Sequence, residues 1–136
     1  MIRNNPKPPP RSTTQQYDDW ASKYDVETAS YGWCAAQKVI EAAGTLLPPS
    51  KGIRVLDIGV GTGLSTEPYV TARGKVVGLD IAPEMLATIR KKGLRYERLA
   101  EYDLANPLSS AGIKPGTFDL IVSSGTLHFS KDLKAT

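Results

Sequence analysis

Two carboxylates and three glycines stand in this chain at spacings that could do chemistry. The run Val55-Leu56-Asp57-Ile58-Gly59-Val60-Gly61-Thr62-Gly63 carries an apolar stretch into an acid and then into glycines at alternate positions. Such a run reads as a buried strand turning into a loop that passes very close to a ligand. Glycine admits φ > 0 and leaves no Cβ between backbone N–H groups and that ligand. Seventeen residues beyond Gly63, Asp80 closes a second apolar run, Val76-Val77-Gly78-Leu79-Asp80. An acid at the tip of the next strand is where a ribose diol is held in doubly wound folds. A dinucleotide loop would need Gly or Ala at position 64, where Leu64 stands, and a phosphate-binding loop would need Lys after the glycines. Leu64, and an acid at 57 where dinucleotide-binding strands are normally apolar, argue against a nicotinamide oxidoreductase.

The elements that must position these residues alternate. Strands are predicted over 53–58, 75–79, 95–101 and 118–123. A helix should follow the glycines from Leu64 to about Ala72, and another should run from Pro83 to about Lys92. Gly74 and Gly93 are their terminators, and Pro83 and Glu84 suit a first turn. Pro68 falls one turn into the first of these helices, where it removes a hydrogen bond and crowds the carbonyl of Leu64. That helix is expected to start late or to kink. The βαβαβ alternation implies a parallel sheet with right-handed crossovers. Upstream, the chain should be helical from about Gln15. One helix is expected from Asp25 to Thr45, with Tyr31, Trp33, Val39, Ile40 and Ala43 at helical period and Gly44 and Pro48-Pro49 as its stop. Residues 1–14, with Pro6, Pro8, Pro9 and Pro10, read as a mobile tail.

Composition narrows the function classes. The 136 residues allow one domain, and 40% hydrophobic residues suffice for a core. No apolar run approaches the ~18 residues of a membrane span. Residues 1–6 lack the apolar stretch of a signal peptide. Cys34 is the only cysteine, which excludes an intrachain disulfide and fits a reducing, cytoplasmic setting. Three of the 17 basic residues (Arg3, Lys7, Arg11) lie in the acid-free first twelve, leaving 14 basic against 14 acidic in the body. The +3 charge therefore belongs to the tail, and a nucleic-acid surface is not indicated. The cluster Arg90, Lys91, Lys92, Arg95 and Arg98 reads as a solvated helix C-terminus.

Four motifs in order make the chain resemble the class I, seven-strand S-adenosyl-L-methionine-dependent methyltransferases of small-molecule type. They are Val55 to Gly63, Leu79 to Leu86, Phe118 to Ser123, and the lead-in Tyr17-Asp18-Asp19-Trp20-Ala21-Ser22-Lys23-Tyr24-Asp25. The resemblance implies a three-layer, Rossmann-like α/β fold with strand order 3-2-1-4. It implies S-adenosyl-L-methionine as cofactor and a small-molecule O, N or C nucleophile as methyl acceptor. Gly59, Gly61 and Gly63 would offer close backbone to the methionine carboxylate, and Asp57 would face its ammonium, directly or through water. Asp80 would take the ribose diol, with Ile81 and Met85 against adenine. Asp103 is the first choice for the adenine amino group and Glu101 the second. Ser123, Ser124 and Gly125 would border the methionine end, and Tyr17 and Tyr24 would fold over the cofactor. Asp119 is read as ordering the turn before strand four, and His128 as a structural or rim residue. Ala82 stands where the family often has Ser, so the second helix loses a cap. The family carries seven strands and this chain reaches four, so the half that completes the acceptor pocket is expected to be absent. Strand four would then be an exposed edge. A second copy in a homo-oligomer, a swapped half, or nothing in a truncated product would account for it.

Overall fold

The computed structural model describes residues 10–127. In chain order the elements are α1 (Thr13–Trp20), α2 (Tyr24–Ser30), α3 (Ala35–Leu46), β1 (Arg54–Ile58), α4 (Glu67–Thr71), β2 (Lys75–Asp80), α5 (Pro83–Lys91), β3 (Arg98–Glu101), a 3₁₀ turn (Leu108–Ala111) and β4 (Leu120–Val122). The four strands form one parallel sheet in the order β3-β2-β1-β4, the order that the family resemblance implied. This is a Rossmann-like α/β arrangement. The central strands are near-continuous apolar runs because both faces of a parallel sheet are covered. On one face Val55, Val76 and Val122 pack with Ala43 of α3 and with Tyr69 and Val70 of α4, and Val60 packs with Leu86 and Ile89 of α5. On the other, Leu56, Ile58, Val77 and Leu79 pack against Ala111, Leu108, Ile113 and Phe118 of the segment between β3 and β4.

The N-terminal helices depart from expectation in ways the chain explains locally. Helix α1 begins at Thr13, inside the stretch 1–14 read as a tail, of which residues 1–9 lie outside the described residues. Ser12 and Gln15 form a reciprocal capping box there: the Gln15 N–H donates to Ser12 Oγ, and the Ser12 N–H donates to Gln15 Oε1, both at 3.2 Å. The single helix expected over 25–45 is two. Gly32, at φ +70, ends α2, with its N–H donating to the carbonyl of Ala29 and that of Trp33 to Thr28. That pair of bonds is a Schellman motif, which needs a left-handed residue at this place. Gly44 does not stop α3, which runs on to Leu46 before Pro48.

After the glycines the chain turns without helix until Glu67. Pro68 then sits in the first turn of α4, where its missing N–H costs nothing. The helix expected from Leu64 is thus reduced to five residues and starts four residues after Gly63. Strands β3 and β4, on the sheet's two edges, are shorter than predicted, while β2 extends to Asp80. Asp119 orders the entry to β4 as expected: its Oδ2 accepts the Arg54 N–H at 2.8 Å. Among the described residues no helix is long and apolar enough to cross a membrane.

Candidate functional site

The chain leaves β1 for β2 and β3 on one side and returns to β4 on the other. That makes the C-terminal ends of β1 and β4 a topological switch point, where a crevice opens in folds of this kind. A cavity of about 520 Å³ lies there. Residues at or just past each strand tip build its wall: Gly59 and Gly61 after β1, Asp80 and Ile81 at the tip of β2, Tyr102 to Ala105 after β3, and Ser124 to Thr126 after β4. Met85 of α5 and Thr13, Tyr17 and Tyr24 of the N-terminal helices complete it.

Asp80 is the best-defined group in this wall. Its Oδ2 accepts the Gly61 N–H at 2.8 Å and its Oδ1 accepts the Ala82 N–H at 2.9 Å. Burial pushes its pKa up, and these backbone donors oppose the shift. The carboxylate is therefore oriented before any ligand arrives. The cap that Ala82 cannot provide is replaced: Asp80 takes the Ala82 N–H, and Asp18 of α1 accepts that of Glu84 at 3.0 Å.

The glycine loop works sterically. The N–H groups of Gly59 and Val60 donate to the carbonyl of Leu79, that of Gly63 to Val60, and that of Gly61 to Asp80. The backbone donors expected at the three glycines thus already have protein partners. Gly61, at φ +54, would place a Cβ in open space in the cavity wall, so its absence is what admits a close ligand. A Cβ at Gly59 would overlap the side chain of Thr126, which crosses from the loop after β4. Gly63 does not line the cavity; it makes room for the Tyr96 hydroxyl.

Asp57 lies behind the loop, fully buried and outside the cavity lining. The Thr66 hydroxyl donates to its Oδ2 at 2.8 Å, and the Tyr96 hydroxyl lies 2.9 Å from Thr66 Oγ1. Its Oδ1 is the one buried side-chain polar atom without a hydrogen-bond partner among the described residues. Burial pushes the Asp57 pKa up to about 7, against the Thr66 hydrogen bond. Ser123 also departs from expectation: its hydroxyl turns back to donate to the Ile58 carbonyl at 2.8 Å, and Ser124 takes the place at the cavity. Of the two acids considered for adenine, Asp103 lines the cavity and Glu101 does not. The Asp103 Oδ1 also accepts the Ala105 N–H at 2.8 Å, winding the loop into a turn. Tyr102, Leu104, Thr126 and Thr13 are lining residues that sequence reasoning missed; Tyr102 and Leu104 flank Asp103 just past β3, and position after a strand tip was their only signal. His128 lies outside the described residues. No group of three or more metal-ligating side chains occurs among the described residues.

A family model for the methyltransferase domain matches residues 56–136, more than half of the chain. The chain belongs to the methyltransferase domain family. This methyltransferase domain is 32% identical over 129 residues to aklanonic acid methyltransferase DauC of Streptomyces sp. (strain C5), covering 90% of the chain and 55% of the relative. It is 31% identical over 131 residues to a demethylmenaquinone methyltransferase of Renibacterium salmoninarum, covering 93% and 52%. A solved structure from Methanococcus maripaludis, proposed to be an S-adenosyl-L-methionine-dependent methyltransferase, superposes with a TM-score of 0.67 at 19% identity, covering 93% of this chain and 58% of that one. The fold is therefore shared at low identity. The methyltransferase domain spans about half the length of the curated relatives it matches. Membership of the family implies use of S-adenosyl-L-methionine, and the cavity fits that molecule. It offers a preset carboxylate for a diol and an apolar side at Ile81, Met85 and Leu104 for a base.

Proposed function

We propose that the domain binds S-adenosyl-L-methionine in this cavity and serves methyl transfer to an O, N or C nucleophile of a small molecule. The observation that carries the reading is the convergence of four strand tips on one cavity around the doubly braced carboxylate of Asp80. In this reading Asp80 accepts both ribose hydroxyls, and two short charge-assisted bonds fix the adenosine. Ile81 and Met85 pack against adenine, and Asp103 accepts from its amino group. Gly61 lets the methionine chain run against bare backbone. Ser124, beside Ser123, borders the methionine end, while Asp57, sealed behind the glycine loop, does not reach it. When bound, the cofactor supplies a methyl group on a sulfonium leaving group. The protein's task is then to align donor and acceptor in line and to exclude water, with no dedicated base for a good nucleophile. The names of relatives that act on aklanonic acid and in ubiquinone biosynthesis support a small-molecule acceptor. The exposed, unpaired Cys34 suits a cytoplasmic setting.

Calorimetric titration with S-adenosylhomocysteine tests the binding half. Saturable one-site binding is expected, and Asp80→Ala should weaken it by roughly 2–4 kcal/mol by unpairing a buried diol. An unchanged dissociation constant removes Asp80 from the ribose role. Because the chain spans about half of its relatives, turnover is a separate question. Binding with no S-adenosylhomocysteine formed from the methyl donor across an acceptor panel would make this a binding module rather than an enzyme.

A further inference from the structure

The N-terminal helices supply Thr13, Tyr17 and Tyr24 to the cavity wall, and beside the packing of Tyr17, Ala21 and Tyr24 with Ala82 and Met85, two of the polar junctions that hold them stand out. One is Asp18, which accepts the Glu84 N–H at the start of α5. The other is a three-way junction. Asp25, the second residue of α2, receives the ammonium of Lys92 on Oδ2 at 2.5 Å and the hydroxyl of Thr62 on Oδ1 at 2.5 Å. The same ammonium donates to the Thr62 carbonyl at 2.9 Å. Thr62 lies between Gly61 and Gly63 and is 2% exposed, while the two charged side chains are 27% and 32% exposed. One cation thus ties the helix that carries Tyr24 to the loop that carries Gly61, from the far end of α5. This sheltered, tridentate arrangement differs from an open surface pair, whose contribution water and salt would largely erase.

We propose that Asp25, Lys92 and Thr62 form a clasp that seats α2 on the glycine loop and so governs how long the cavity retains its ligand. Lys92 and Asp25 are positioning residues here; neither lines the cavity. The inference about retention rests on the cofactor reading above, whereas the clasp itself does not. Two readouts therefore separate them. In the ligand-free chain, Lys92→Met should speed amide exchange across α2 and at Thr62 by about fivefold, the scale of one partly buried ion pair. Lys92→Arg should restore protection. Asp25→Asn should act like Lys92→Met, and the double variant should exceed neither single by much, because both remove one interaction. With S-adenosylhomocysteine bound, stopped-flow dissociation should quicken by a similar factor in both single variants. Wild-type exchange rates in Lys92→Met, or full additivity in the double variant, would overturn the clasp. Failure of the wild type to bind S-adenosylhomocysteine would instead sink the cofactor reading, with exchange still deciding the clasp. Faster exchange with an unchanged dissociation rate would refute the link to retention.

Discussion

Asp57 is sealed from water with one oxygen bonded to Thr66 and the other unpaired, and that arrangement has a thermodynamic signature. An aspartate in the unfolded chain releases its proton near pH 4, whereas in the fold Asp57 holds it to about 7. Between those values the native state binds more protons than the unfolded state, so stability falls as pH rises. The loss should level off above about 7 and amount to about 4 kcal/mol at most. Urea unfolding at pH 5 and pH 8 should show the wild-type midpoint dropping, and Asp57→Asn should remove most of that drop. A wild type more stable at pH 8 would contradict the assignment. At this scale the sequence was informative where chemistry is tied to a strand tip. Asp80 and Gly61 lie in the cavity wall as their spacing implied. Ser123 was misjudged because the direction of a side chain at a strand end follows the pairing with β1, and that pairing turns the hydroxyl onto Ile58.

Glycines separate two kinds of element. Gly32 and Gly61 both adopt left-handed backbone, at φ +70 and +54, and neither has heavy atoms near its missing Cβ. Alanine at either should cost about 1 kcal/mol of stability through backbone strain alone. Only Gly61 faces the cavity, so only Gly61→Ala should also weaken S-adenosylhomocysteine binding, by more than about tenfold if the methyl displaces the ligand. Denaturant midpoints with calorimetry on both variants check this; equal binding losses would show that the loop acts only through global stability. The boundaries missed in the sequence have local causes. The capping box at Ser12 and Gln15 was present but lay within a stretch dominated by prolines. Gly32 falls inside an apolar period that continues across it, and periodicity alone cannot register a left-handed turn.

Across the described residues, β4 is an edge of the sheet and its Ile121 is 60% exposed, and Trp33 and Leu46 add apolar surface at 56% and 79%. An edge strand with this much exposed apolar surface invites pairing. The chain is expected to self-associate or to unfold at low denaturant, and sedimentation equilibrium combined with urea titration measures both. A cooperative, stable monomer would show that the described edge is adequately shielded. The alternation of strands and helices, the parallel sheet and the two acids at neighbouring strand tips were determined by the sequence itself, because apolar runs, glycine turns and connection rules are local and repeat in order along the chain. The order of the strands followed from the resemblance to the family. Only the tertiary structure decided which groups reach the cavity and which lie behind it. Asp57 against Thr66, Asp18 capping a distant helix, and Lys92 joining α2 to the glycine loop are pairings between residues 9 to 67 positions apart. Such pairings depend on how helices pack over the sheet, and no local pattern encodes that packing.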